Sequence, residues 1–125
     1  MKIITDGYCL GNPGKSGYKG VDLETGEVIF EEHIGIATNN IAEYLGICHA
    51  LYYLKKRGLE LNVTTDSKTA MSWVNKRKVN SSFKGNITNR VIKAEAFIKT
   101  LPQFTLKKWD TKQLGENPAD FGHKN

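Results

Sequence analysis

The sequence predicts an α/β fold in which a five-stranded mixed sheet, three antiparallel strands followed by parallel strands, is flanked by helices. Three observations carry this. Residues 1–37 hold three apolar segments with a two-residue period, separated by runs of turn-forming residues. From Ile41 the apolar residues recur at three and four positions, the period of an amphipathic helix. Beyond that helix, strand-like and helix-like segments interchange, and a strand reached through a helical crossover pairs in parallel.

Each element follows from its own pattern. Residues 1–9 read as the first strand, with Ile4, Asp6 and Tyr8 on one face. Residues 10–17, LGNPGKSG, are dense in Gly and Pro and read as turn chemistry. Residues 18–23 form the second strand, and Glu24-Thr25-Gly26 a tight turn. Residues 27–37 alternate, with Val28, Phe30, Ile34 and Ile36 on one side and Glu27, Glu31 and His33 on the other. Together these three strands make an antiparallel meander.

The helix that follows carries Ile41, Tyr44, Leu45, Cys48, Leu51 and Tyr52 on its apolar stripe. Asn40 is the expected N-cap, and Gly58 the stop. Residues 61–65 are a short strand. Residues 67–76 are a second helix, with Ala70, Met71 and Val74 inward. A polar connection over 78–85 leads to a third helix over 87–101, ended by Pro102. Residues 104–109 are the last strand, with Phe104 and Leu106 on one face, and the tail holds a brief helical turn around Asp120. The order is βββαβααβ.

Bulk properties narrow the class. A chain of 125 residues without repeats, low-complexity tracts or an evident linker reads as one domain over 1–125. A hydrophobic share of 39% with 25% charged residues suits a folded globular domain and argues against wholesale disorder. Lys and Arg number 18 against 13 Asp and Glu, a formal charge of +5, which favours a polyanionic partner, nucleic acid first. Solvated surface lysines would give the same balance. Cys9 and Cys48 are too few and too far apart for a zinc motif or a disulfide framework, and Cys48 falls in the apolar stripe. The opening MKIITDGY is too short an apolar run for a secretion signal, and no stretch approaches membrane-spanning length. A reducing, cytoplasmic setting without a membrane is expected.

Acidic residues stand at four telling places. Asp6 lies inside the first strand, Glu43 opens the long helix, Asp66 ends a strand, and Asp120 lies in the tail. Open α/β sheets place their sites at such strand ends. Each has a structural alternative: Asp6-Gly7 could be a turn, Glu43 could complete a capping box with Asn40, and Asp66 and Asp120 could cap helices.

The segments DGYCLGNPG (6–14), TNNIAEYLGICHAL (38–51), TDSKTAMSWV (65–74) and GENPADFGHK (115–124) occur in this order. As a set they resemble the ribonuclease H family, type 1, and the tail is similar to a bacterial branch ending in GE-x-x-AD-x-G-x-K. The resemblance implies a ribonuclease H-like fold and an endonuclease that cuts the RNA strand of RNA–DNA hybrids, leaving 5′-phosphate and 3′-hydroxyl ends. It assigns Asp6, Glu43, Asp66 and Asp120 to a carboxylate tetrad for two magnesium ions about 4 Å apart, with manganese as a substitute. It implies that Asp6 touches both ions, that Asp66 and Asp120 hold the ion on the nucleophile side, and that Glu43 holds the other. Many relatives carry a mobile His before the last carboxylate. Here Glu116 stands there, which implies an auxiliary role; a solvated loop glutamate is the alternative.

For substrate, the resemblance implies that the backbone at Gly11 and the side chains of Asn12 and Asn40 meet the RNA minor-groove edge, with Lys68 at a base edge. Thr38, Asn40, Ser82 and Thr111, with Ser81 nearby, would form a pocket for a DNA phosphate. Trp73 is expected to pack in the core, with a place flanking the DNA channel as the alternative. Arg77 stands where some relatives have a second tryptophan, and Lys76, Arg77 and Lys78 are only a short basic stub. No hybrid-binding domain is expected before Asp6, so hybrid binding should be modest and steeply salt-dependent. A monomer is expected. The competing readings are a nuclease of the same fold that acts on DNA alone, a hybrid-binding module without catalysis, and a nuclease domain working beside a partner.

Overall fold

The computed structural model describes residues 1–81 and 88–119. The elements are β1 (Ile3–Leu10), β2 (Gly14–Asp22), β3 (Val28–Ala37), α1 (Asn39–Lys56), β4 (Asn62–Thr65), α2 (Lys68–Lys76), α3 (Thr88–Thr100), β5 (Thr105–Lys108) and α4 (Thr111–Leu114). They build one five-stranded sheet in the order β3-β2-β1-β4-β5. The β1–β2 and β2–β3 pairs are antiparallel, and β1–β4 and β4–β5 are parallel. The mixed α/β sheet is therefore the one the sequence predicts.

The central strand is β1, buried from Ile3 to Cys9. One face of the sheet packs on α1, and α2 and α3 pack against that helix, through a core that includes Ile3, Tyr18, Ile34, Ile47, Leu51, Val74 and Ile98. The other carries a smaller cluster of Ile4, Val21 and the tail residue Ala119, with Leu23 and Trp109 half-buried against it. The chain thus closes over β1 from both sides. No helix among the described residues is long and apolar enough to cross a membrane.

Several local details depart from the sequence pattern. Strand β2 begins at Gly14 rather than at 18, so the turn shrinks to three residues. Gly11 takes a left-handed φ of 82°, and a Cβ on Gly14 would collide with the carbonyls of Leu10 and Gly11. These glycines serve the turn itself. In β3 the register slips twice: Ser16 pairs with Gly35 but Gly17 with His33, and Gly20 pairs with Phe30 but Val21 with Val28. The slips leave Ile34 and Ile29 as extra residues, and each bulge reverses the alternation. Ile34 is therefore buried, as is Ala37, while Val28 and Ile36, expected on the same side as Ile34, are 47% and 48% exposed.

Helix α1 is capped by Thr38, not Asn40: the Thr38 hydroxyl accepts from Ile41 N at 3.3 Å. The threonine starts the helix at Asn39, and this removes Glu43 from a capping box. At the far end Gly58 sits at φ 67°, with Gly58 N donating to Lys55 O and Leu59 N to Leu54 O. This is a Schellman closure. Tyr52, expected on the apolar stripe, is exposed and lies edge-on to Phe97.

Helix α2 is capped by Ser67, whose hydroxyl accepts from Ala70 N, so Asp66 is not a cap. Trp73 is buried, edge-on to Tyr44, whereas Met71 is half-buried. Arg77 is no exposed basic stub. Its guanidinium donates to the carbonyls of Ile98, Leu101 and Pro102, where α3 ends. The helical turn α4 was not expected; Asp110 caps it by accepting from Lys112 N and Gln113 N. The turn expected around Asp120 lies outside the described residues, as does Ile87, the expected start of α3.

Candidate active site

The parallel register of β1 and β4 pairs Thr5 with Thr65. The residues that follow, Asp6 and Asp66, are thereby set side by side. Asp6 is fully buried because β1 is central, and Asp66 is half-buried at the exit of β4.

Helix α1 brings the third carboxylate. It crosses β1 so closely that a Cβ on Gly7 would lie 2.9 Å from Glu43 N and 3.1 Å from Ala42. Only a glycine allows that approach without displacement. At this distance Gly7 N donates to Glu43 Oε1, which aims the carboxylate at the strand. Glu43 is 5% exposed. The Asp6-Gly7 pair is therefore not a turn: the aspartate supplies the charge and the glycine admits the helix.

Asp6, Glu43 and Asp66 offer carboxylate oxygens that all lie within 4.8 Å of one another. Two negative charges at that separation repel by about 3.5 kcal/mol at an effective dielectric near 20. A trio of this kind, with two of its carboxylates buried, suits a cation, and an all-oxygen set of hard donors fits magnesium or manganese.

Asn117 lies beside this trio, buried at 5% exposure. Its amide donates to Asp66 Oδ2 at 3.4 Å. The sequence pattern passed over Asn117, because it occupies one of the two open positions in GE-x-x-AD. The signal available was an Asn-Pro pair between Glu116 and Asp120.

Asp6, Glu43 and Asp66, three of the four carboxylates that the motifs single out, are thus brought together. The model of the RNase H family matches residues 1–110. The chain belongs to the RNase H family. Among relatives of this family, a ribonuclease H from Neorickettsia sennetsu is 35% identical over 97 residues, covering 70% of this chain and 64% of that protein. One from Citrobacter koseri is 41% identical over 69 residues, covering 54% and 44%. The chain thus spans about half to two thirds of the length of these relatives. Among solved structures, LC11-RNase H1 in complex with an RNA/DNA hybrid matches with a TM-score of 0.62 at 28% identity, over 90% of this chain and 86% of that one. The N-terminal RNase H domain of a Mycobacterium tuberculosis protein matches with a TM-score of 0.59 at 26% identity, over 90% of both chains.

The other expected site residues of this RNase H fold divide into three groups. Asp120 and Ser82 lie outside the described residues. Asn12 and Thr38 have structural tasks: Asn12 Oδ1 accepts from Asn39 N at 3.0 Å, and Thr38 caps α1. That first bond ties the β1–β2 turn to the start of α1. Gly11, Asn40, Lys68, Thr111 and Glu116 are exposed, Lys68 as the first residue of α2 and Thr111 as the first of α4. Glu116 adjoins Asn117, and the tail is held there by Trp109 Nε1 donating to Gly115 O.

Proposed function

We propose that this chain is an endonuclease of the type 1, bacterial-branch pattern that hydrolyses the RNA strand of RNA–DNA hybrids, with 5′-phosphate and 3′-hydroxyl products. The observation that carries the reading is the convergence of Asp6, Glu43 and Asp66 within 4.8 Å. Asp120 completes the set of ligands in this proposal. These residues would hold two magnesium ions, for which manganese can substitute. Divalent ions held by these carboxylates would supply the acidity that activates a water and the positive charge that offsets a departing 3′ oxygen.

The protein's own groups do the rest. Burial of Asp6 and Glu43 keeps bulk water from the ligands and strengthens every charge interaction among them. Gly7 N orients Glu43. Glu116, exposed on the tail, assists turnover. The hybrid lies along the Asn12–Asn39 junction, where Gly11, Asn12 and Asn40 meet the RNA edge and its 2′-hydroxyls. Lys68 contacts a base edge, and Thr38, Asn40, Ser82 and Thr111 hold a DNA phosphate. The hybrid bound by LC11-RNase H1 supports this choice of substrate. The proposal extends to one catalytic domain over 1–125, working as a monomer in the cytoplasm.

The test is cleavage of labelled RNA–DNA hybrid, duplex DNA and duplex RNA, each with and without magnesium. Magnesium-dependent cuts confined to the RNA strand of the hybrid are expected. Cleavage of duplex DNA, or undiminished cleavage of hybrid in a chelator, would overturn the proposal. Asp66→Asn should still bind hybrid and lose cleavage by several orders of magnitude, roughly 10³-fold or more.

A further inference from the structure

We propose that Asn117 is a positioning residue that sets the orientation of the Asp66 carboxylate toward its cations and locks the tail to β1. This rests on the two-ion nuclease reading above. Every polar atom of the Asn117 amide is used. Nδ2 donates to Thr5 O at 3.3 Å and to Asp66 Oδ2 at 3.4 Å, and Oδ1 accepts from Ala119 N at 2.7 Å. These partners fix which end of the amide is which. Turned over, Oδ1 would face a carbonyl and a carboxylate while Nδ2 faced an N–H.

One side chain therefore joins three separate pieces of the site. Thr5 precedes Asp6 in the chain, Asp66 is a ligand itself, and Ala119 precedes Asp120. Ala119 is fully buried against Ile4 and Val21, so the tail has a firm seat on the sheet. Pro118 restricts the backbone of Asn117 to extended conformations, which helps present its side chain.

The chemistry of an amide suits this task. It donates a hydrogen bond to Asp66 Oδ2, yet brings no positive charge that would compete with a cation. Holding Oδ2 restricts rotation of the carboxylate and so fixes how the group faces Asp6 and Glu43. Partners of metal ligands that act in this way are worth roughly 10- to 100-fold in metal affinity or activity. Aspartate here would add one more negative charge beside Asp6, Glu43 and Asp66, and lysine would displace the cation. Asparagine avoids both.

The experiment compares wild type, Asn117→Ala and Asn117→Ser. Manganese binding to each protein without nucleic acid is read from the electron paramagnetic resonance of the free ion. Melting temperature and hybrid cleavage are measured in parallel. Serine can still accept from Ala119 N but reaches neither Thr5 O nor Asp66, so it keeps the local turn of the tail and loses both longer bonds. Both variants should bind manganese about 10-fold more weakly and lose about 10-fold in kcat at saturating metal, with KM for hybrid within about twofold of wild type. Both variants should melt below wild type, Asn117→Ala by more because it also loses the bond from Ala119 N.

Manganese affinity of Asn117→Ser within twofold of wild type would overturn the proposal, as would a loss confined to melting temperature. A wild type that bound manganese but left hybrid uncut would remove the nuclease reading and not the positioning role. A wild type that bound no manganese would remove both.

Discussion

Replacing Gly7 by alanine tests how the sheet and α1 build the site. The φ of Gly7 is not in the left-handed region, so alanine is allowed by the backbone and only its contacts matter. The new Cβ would stand 2.9 Å from Glu43 N and 3.1 Å from both the carbonyl carbon and Cβ of Ala42. Comfortable contact begins near ~3.5 Å, so the start of α1 must retreat by roughly 0.5 Å. Overpacking of this kind costs about 1–3 kcal/mol. For a domain of this size that lowers the melting temperature by roughly 4–12 °C. The same retreat stretches the bond from Gly7 N to Glu43 Oε1 and draws the Glu43 carboxylate away from Asp6. A 1 Å error at a catalytic centre costs about 100-fold, so half of that should cost about 10-fold in kcat. The assays are thermal melting and steady-state hybrid cleavage at saturating magnesium. Glu43→Gln is the control, because its carbonyl still accepts from Gly7 N while its charge is gone. It should melt near wild type and lose far more turnover than Gly7→Ala. Wild-type melting and turnover in Gly7→Ala would refute the reasoning that close approach at Gly7 is what places Glu43.

Three further perturbations separate catalysis from stability. Glu116→Gln should slow turnover while hybrid affinity stays nearly intact, and unchanged turnover would remove Glu116 from the reaction. Arg77→Ala deletes a guanidinium bonded to three carbonyls at the end of α3 and should cost about 2 kcal/mol in chemical denaturation with kcat unaltered. A fall in kcat at full folding would instead assign Arg77 to substrate. His49 is stacked on Phe30 and bonded to the Tyr18 hydroxyl, and burial holds its imidazole below the ordinary value of 6.5, with Arg90 adding to this and Glu32 opposing it. The unfolded chain therefore takes up a proton near pH 6.5 that the folded chain refuses until lower pH, so stability should fall as pH drops below 6.5. Glu95, held low by the Val79 N–H, contributes only below its ordinary 4.5. Melting of His49→Gln followed from pH 8 to pH 5 should show a flatter decline than wild type, and an equally steep one would place the effect elsewhere.

The amino-acid order alone determined the number, kind and sequence of the first eight elements, because period and turn chemistry are local properties. Alternation marked β1 and β3, the 3.6-residue stripe marked α1, and Gly58 and Pro102 marked helix ends. The motifs also named Asp6, Glu43 and Asp66, since each sits in a short segment distinctive in itself. Tertiary structure alone decided how those residues meet. The bulges that turn Ile36 out and Ile34 in depend on pairing with β2, a partner that no window on β3 contains. Gly7 matters because a helix lies above it, and the capping of α3 by Arg77 joins residues more than twenty positions apart. Asn117 is the extreme case: its contacts reach back 51 and 112 residues, to Asp66 and Thr5. A side chain whose partners lie that far along the chain leaves no periodic trace, and only the closed fold, with the tail laid against β1, brings its hydrogen bonds into being.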